Sequence, residues 1–192
     1  MERWRSVSLF KAWTKPAGAR GNGSVRLAAA DLADEAQLHA AIALWEQADQ
    51  DSSSICIAGT ARWWQTRYLQ HPQQPYQFHW LLAAGERRGL VVSKIFTAEG
   101  ETRAHIVDHV LDEGQKPADL LAAFEDAFSG QAARFVHWPV DAAFNVALVE
   151  GGYQPDGFVT WFGLRALGGT KLDPKLLEAS AWRLSMGFSD AF

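Results

Sequence analysis

The chain has 192 residues, with 18 basic against 22 acidic side chains and a net charge of −4. No basic block stands out, which argues against nucleic acid and anionic membrane surfaces as partners. No apolar run approaches a bilayer span, the first residues lack the apolar stretch of a signal peptide, and the single cysteine, Cys56, excludes an internal disulfide.

An apolar fraction of 48% is ample for one core, so a soluble, cytoplasmic domain is expected. Residues 6–13 read as a short strand, and 15–23 as a linker rich in Gly, Pro and Ala. A strand at 24–28 precedes a helix capped by Asp34, with Gln37 completing a capping box and Leu38, Ile42 and Trp45 at helical spacing. Thr60 caps a second helix. Its Trp64, Tyr68 and His71 share one face, and Pro72 stops it.

Two apolar runs, 77–84 and 90–96, are joined by a glycine-flanked loop at 85–89, which predicts a hairpin. A turn at 98–101 leads into a third strand at 102–111. Three sequential strands with short connections imply an antiparallel meander. Pro117 suits the first turn of a third helix with Leu120, Leu121, Phe124 and Phe128 on its apolar face and Gly130 placed to end it. A strand at 133–140 follows. Asp141 caps a fourth helix, with Phe144 and Leu148 inward and Gly151 and Gly152 terminating it. A last strand at 157–164 and a tail complete the chain.

The third meander strand carries the polar candidates. Strict alternation puts His105, Val107, His109 and Leu111 on one face and Ala104, Ile106, Asp108 and Val110 on the other. Asp108 or His109 can serve as a base, or each can be a buried polar group satisfied by a neighbour. His105 and His109 stand roughly 13 Å apart along a strand, too far to share one metal ion. Cys56 lies in an apolar run where an inert buried thiol is usual. The nine tryptophans are read first as core, with sugar stacking as the alternative.

The order of strand, two helices, three meander strands, helix, strand, helix, strand is similar to the GNAT acyltransferase superfamily, together with residues 25–27 before the first helix and the segment 150–153 (Glu-Gly-Gly-Tyr) after the last. A narrower resemblance rests on Trp64, Arg67 and Tyr68, His71 and Pro72, and Val107 and Asp108. It is to a divergent branch linked to surface-polysaccharide and amino-sugar acylation. The tail 182–190 resembles that branch's ending, with Phe188 where an acidic residue is expected.

The resemblance implies an α/β (α+β) domain with a mixed, mainly antiparallel sheet flanked by helices. Residues 1–23 would form an N-terminal strand and linker, 24–168 the GNAT-like domain, and 169–192 a tail packing on it. It implies acetyl-CoA, or another acyl-CoA, as donor to a small amine acceptor attacking the thioester directly. The coenzyme's arm would lie along Val107, His109, Val110 and Leu111. Its phosphates would meet the N–H groups of Glu113, Gly114, Gln115 and Lys116 at a helix N-terminus. Trp64, Arg67 and Tyr68 would wall the acceptor site. No metal is implied.

Two departures favour an alternative, a catalytically degenerate module that binds a ligand or protein partner. The turn at 112–117 holds one glycine, and Leu148 stands where the superfamily often has an acidic tyrosine. The strand at 6–13 also resembles the closing strand of a preceding domain. That implies either a tandem-domain protein or pairing with a second copy in a homodimer.

Overall fold

The computed structural model describes residues 5–18, 25–50, 54–56, 60–71, 75–139, 141–164 and 171–186. The linker residues 19–23, the helix stop at Pro72, Ile57 and Phe188 lie outside the described residues. Among the described residues seven strands form one sheet: β1 (Arg5–Pro16), β2 (Val25–Ala30), β3 (Gln77–Ala83), β4 (Glu86–Ala98), β5 (Glu101–Leu111), β6 (Arg134–His137) and β7 (Gln154–Leu164). Their order is β2-β3-β4-β5-β6-β1-β7. Among these seven strands only the β5–β6 pair is parallel. All other pairs are antiparallel, so the sheet is mixed and mainly antiparallel, with the expected meander at β3-β4-β5.

Helices α1 (Glu35–Gln50) and α2 (Ala61–Trp64) lie on one face of the sheet, α3 (Pro117–Phe128) and α4 (Ala142–Glu150) on the other. Each face has its own apolar core. Leu120, Leu121, Phe124 and Phe128 of α3 and Phe144 and Leu148 of α4 pack on Leu81, Val91, Ala104, Ile106 and Phe135. Opposite them, Leu38, Ala41 and Trp45 of α1 and Trp64 of α2 pack on Trp80, Leu90, Val92, Val107 and Val110. Among the described residues no helix is long and apolar enough to cross a membrane.

Several local expectations change. The hairpin loop shrinks to Ala84 and Gly85, both with positive φ (51° and 85°), as a two-residue turn between twisted strands requires. Residues 86–89 therefore belong to β4. Gly89 sits where a Cβ would come within 2.8 Å of the Val110 carbonyl oxygen, so the strand pair closes only over glycine. Asp34 caps α1 through the Ala36 and Gln37 N–H groups (2.8 and 3.1 Å). The Gln37 side chain does not close the box. It accepts instead from the Trp80 indole (3.1 Å) and the Asp31 N–H (3.2 Å), because a buried indole N–H needs an acceptor. Asp141 caps α4 as expected, and α3 ends at Phe128 without a left-handed glycine at 130.

The N-terminal strand departs furthest from expectation. β1 is laid between β6 and β7 of its own chain, residues 13–16 against β6 and residues 5–14 against β7. It is an internal strand of the sheet, flanked by strands of its own chain.

Candidate active site

The parallel β5–β6 ladder is short. It pairs Arg103 with Arg134, Ala104 with Phe135 and His105 with Val136, and then stops. Beyond that point β6 gives way to Trp138 and Pro139 while β5 runs on to Leu111, so the two strands part. In the same stretch β5 carries a bulge opposite Val92 and Ser93, with Val107 as the extra residue. A bulge puts two successive side chains on one side and reverses the alternation after it.

The alternation expected along β5 is corrected by that bulge. Val107, Asp108 and Val110 face α1 and α2, whereas Ala104, Ile106, His109 and Leu111 face α3 and α4. Asp108 and His109 still diverge, but His105 and His109 no longer share a face. His105 stacks on Phe96 (4.6 Å between centroids) with Trp138 edge-on, and burial holds its pKa down at about 3.

Asp108 is buried and fully engaged. Tyr68 Oη donates to Oδ2 at 2.7 Å, and Ser185 Oγ and the His109 N–H donate to Oδ1, each at 2.8 Å. Burial pushes the carboxyl pKa up to about 6, and the three donors with nearby Arg183 keep it from rising further. Tyr68 reaches Asp108 because the helix widens after Trp64 into a π-helical turn, Gln65–Leu69, closed by the Gln70 N–H on the Gln65 carbonyl at 2.8 Å. Such turns are frequent at functional sites. Burial and the adjacent carboxylate raise the Tyr68 pKa, so its hydroxyl remains a donor.

His109 is half-buried and stacks on Phe144 at 4.6 Å. Burial lowers its pKa to about 4, against an opposing pull from Asp141, so the imidazole is neutral at pH 7. It lines a cavity between the parted strands with Ile106, His137, Trp138, Phe144 and, from the C-terminal segment, Met186. The cavity holds about 190 Å³ of empty space, mouth included. Part of that space is open solvent, so the enclosed cavity is far smaller than an ordinary small-molecule pocket of about 300 Å³ or more.

The C-terminal segment is what narrows it. Ile55 bridges Trp182 in parallel, through Ile55 N–H to Ala181 O (2.6 Å) and Arg183 N–H to Ile55 O (3.0 Å). That seats Leu184, Ser185 and Met186 in the interior. In the sequence the tail stands out only by its resemblance, which carries no role for Ser185 or Met186. Contacts 77 residues apart, such as Ser185 to Asp108, carry no local signal.

The turn before α3 only partly matches its expected role. Gly114 is left-handed (φ 81°). The Glu113 N–H is taken by the Asp112 carboxylate (2.9 Å) and the Gln115 N–H by the Asp112 carbonyl (3.1 Å). Asp112 is itself paired with Arg88 at 2.9 Å, which offsets its negative charge. Gly114 and Lys116 are the remaining parts of the expected anion cradle.

The expected acceptor wall needs a correction. Trp64 and Tyr68 are buried, and Trp64 meets Trp45 and Trp63 edge-on at 5.4 and 5.7 Å. Neither presents a ring face to a ligand. Arg67 remains half-buried beside Tyr68 and Tyr76; burial raises the pKa of both hydroxyls, and the Arg67 charge only partly offsets that rise. Leu148 is fully buried, so α4 offers no acid at that position. Cys56 is half-buried.

No family profile matches the chain, and no curated protein matches it at a significant level. Solved structures do. A GCN5-related N-acetyltransferase from Anabaena variabilis superposes with a TM-score of 0.59 at 14% identity over 82% of this chain. A conserved Enterococcus faecalis protein of unknown function, given as a probable N-acyltransferase, superposes with a TM-score of 0.51 at 14% identity over 69%. This chain spans 40% of the first protein's length and 33% of the second's. At such identity the likeness is one of fold, and the chain has the GCN5-related N-acetyltransferase fold.

Proposed function

We propose that the chain is an acyl-CoA-dependent N-acyltransferase in which an acceptor amine attacks the thioester directly in the cavity between β5 and β6. The observation that carries this reading is the parting of those strands around His109, on a sheet shared with N-acetyltransferases. The apolar walls at Ile106, Phe144 and Met186 suit a thin arm, and Gly114 and Lys116 would hold the phosphate end. A bound acyl-CoA supplies the activated thioester.

The chain's own residues supply position and a proton acceptor. His109, kept neutral by burial, would take the proton of the attacking amine. Asp108 is a positioning residue, since both its oxygens are committed to Tyr68, Ser185 and the His109 backbone. The acceptor is a small amine, and an amino sugar is the class that the narrower sequence resemblance implies. The setting is proposed to be cytoplasmic.

Isothermal titration with acetyl-CoA, using CoA as control, tests this. Saturable one-to-one binding is expected, followed by turnover with an amino-sugar panel that falls about a hundredfold or more in His109→Ala. Absence of heat at millimolar ligand sinks the acyl-transfer reading. It would favour a ligand- or partner-binding module, which the prior commitment of the Glu113 and Gln115 N–H groups to Asp112 already supports.

A further inference from the structure

Where two strands part, the backbone groups between them lose their partners, and a buried N–H without an acceptor is costly. Strands therefore close up unless something else meets those groups. The first β5 amide beyond the last β5–β6 pair is that of Ile106, and it donates to the imidazole Nδ1 of His137 at 3.2 Å. His137 is the last residue of β6, and its own backbone is registered against Trp13 of β1. The ring thus fills the place of the next ladder bond. On the same strand the His109 N–H is met by the Asp108 carboxylate.

The ring is anchored from behind. With Nδ1 accepting, a neutral imidazole carries its proton on Nε2, which lies 3.2 Å from Tyr153 Oη and donates to it. Burial and the nearby Glu125 carboxylate raise the Tyr153 pKa, so its hydroxyl stays protonated, and Glu125 pairs with Lys15 of β1 at 2.8 Å. Phe124, Phe144 and Tyr153 enclose the imidazole. Burial, with His105 and His109 nearby, holds the ring well below its ordinary pKa, so it stays neutral and keeps an acceptor at Nδ1.

We propose that His137 is a strut: its imidazole caps the Ile106 amide, keeps β5 and β6 apart in the free protein, and so acts as a positioning residue for a ligand in the cavity. The strut itself stands on the free protein, and its consequence for an acyl donor rests on the acyl-transfer reading above.

Nitrogen-15 NMR of the parent protein tests the strut directly. The expected result is an Nε2–H tautomer at His137 and a nitrogen–nitrogen coupling across the Ile106–His137 hydrogen bond. A ring protonated on Nδ1 overturns the proposal, and this readout decides the matter even where a variant does not fold. In His137→Ala the Ile106 amide should exchange about tenfold faster or more, and His137→Asn, whose side-chain oxygen sits near the Nδ1 position, should restore most of the protection. Unchanged exchange in His137→Ala also overturns it. Acetyl-CoA titration separates the two claims. If the parent binds, His137→Ala should bind about tenfold more weakly, with partial rescue in His137→Asn. Equal binding by the alanine variant removes the positioning role and leaves the acyl-transfer reading intact. A parent with the expected tautomer and coupling that does not bind leaves the strut standing and removes the acyl-transfer reading.

Discussion

Asp108 and His109 are chain neighbours, one buried and one half-buried; strand alternation sets them on opposite faces of β5, and the bulge at Val107 decides which residues each shares its face with. On the α1–α2 face, Asp108 is closed in by Tyr68, Ser185 and an aromatic cluster that includes Trp45, Trp63 and Trp64. On the α4 face, His109 rests on Phe144 and borders the cavity. Burial raises the acid to about 6 and lowers the base to about 4, because it disfavours the charged form of each. One desolvating environment therefore yields a sealed structural clasp on one side and a neutral proton acceptor on the other. What separates them is the supply of donors: three for Asp108, with the His109 ring left facing the cavity.

The comparison breaks most visibly through the sealed face. Trp64→Ala should cost about 3–5 kcal/mol in denaturant unfolding, as deletion of a fully buried indole does. A loss under about 1 kcal/mol would mean the cluster is not sealed. Asp108→Ala should cost about 3 kcal/mol, since two hydroxyls and one amide lose their acceptor together. Asp108→Asn, which keeps a carbonyl oxygen, should recover part of that in the same assay.

A pH series sharpens the contrast. For Asp108, raised from 3.8 to about 6, the folded state holds the extra proton between those values, so its contribution to stability falls as pH rises through that window. For His109, lowered from 6.5 to about 4, the unfolded state holds the extra proton, so its contribution rises with pH over nearly the same window. In the parent the two oppose each other. Relative to the parent, His109→Asn should lose about 1.4 kcal/mol per pH unit on going from about pH 4.5 to 5.5, and Asp108→Asn should gain about as much. Slopes of the same sign in both variants would contradict the opposed shifts.

The smallest effect concerns the C-terminal segment. Ser185→Ala removes one of three donors to Asp108 and should cost about 1 kcal/mol, leaving Tyr68 and the His109 amide in place. A double-mutant cycle with Tyr68→Phe should show coupling through the shared carboxylate, and strict additivity would argue against a common clasp.

Much of the architecture was legible because it is local. Asp34, Thr60 and Asp141 announce helix starts through their own side chains, and all three accept the expected backbone N–H groups. The spacing of Leu120, Leu121, Phe124 and Phe128 marks a buried helix face, and all four are buried. Asp108 and His109 stood out as polar residues in an apolar strand, and their opposite facing followed from alternation, although the bulge changed which neighbours share each face. The partner of β1, by contrast, was not legible, since an apolar strand does not name the edge it joins.

The sequence by itself determined the elements, their order and the ionisable pair on β5, because caps, periodicity and turn glycines act over three or four residues. Only the tertiary structure decided what those residues do. The bulge in β5 needs β4 for its register, and the Asp108 clasp needs donors 40 and 77 residues away. The His137 cap exists only where β5 and β6 stop pairing. Each of these satisfies a buried polar group across the fold, and which group is left to be satisfied is set only when the strands have packed.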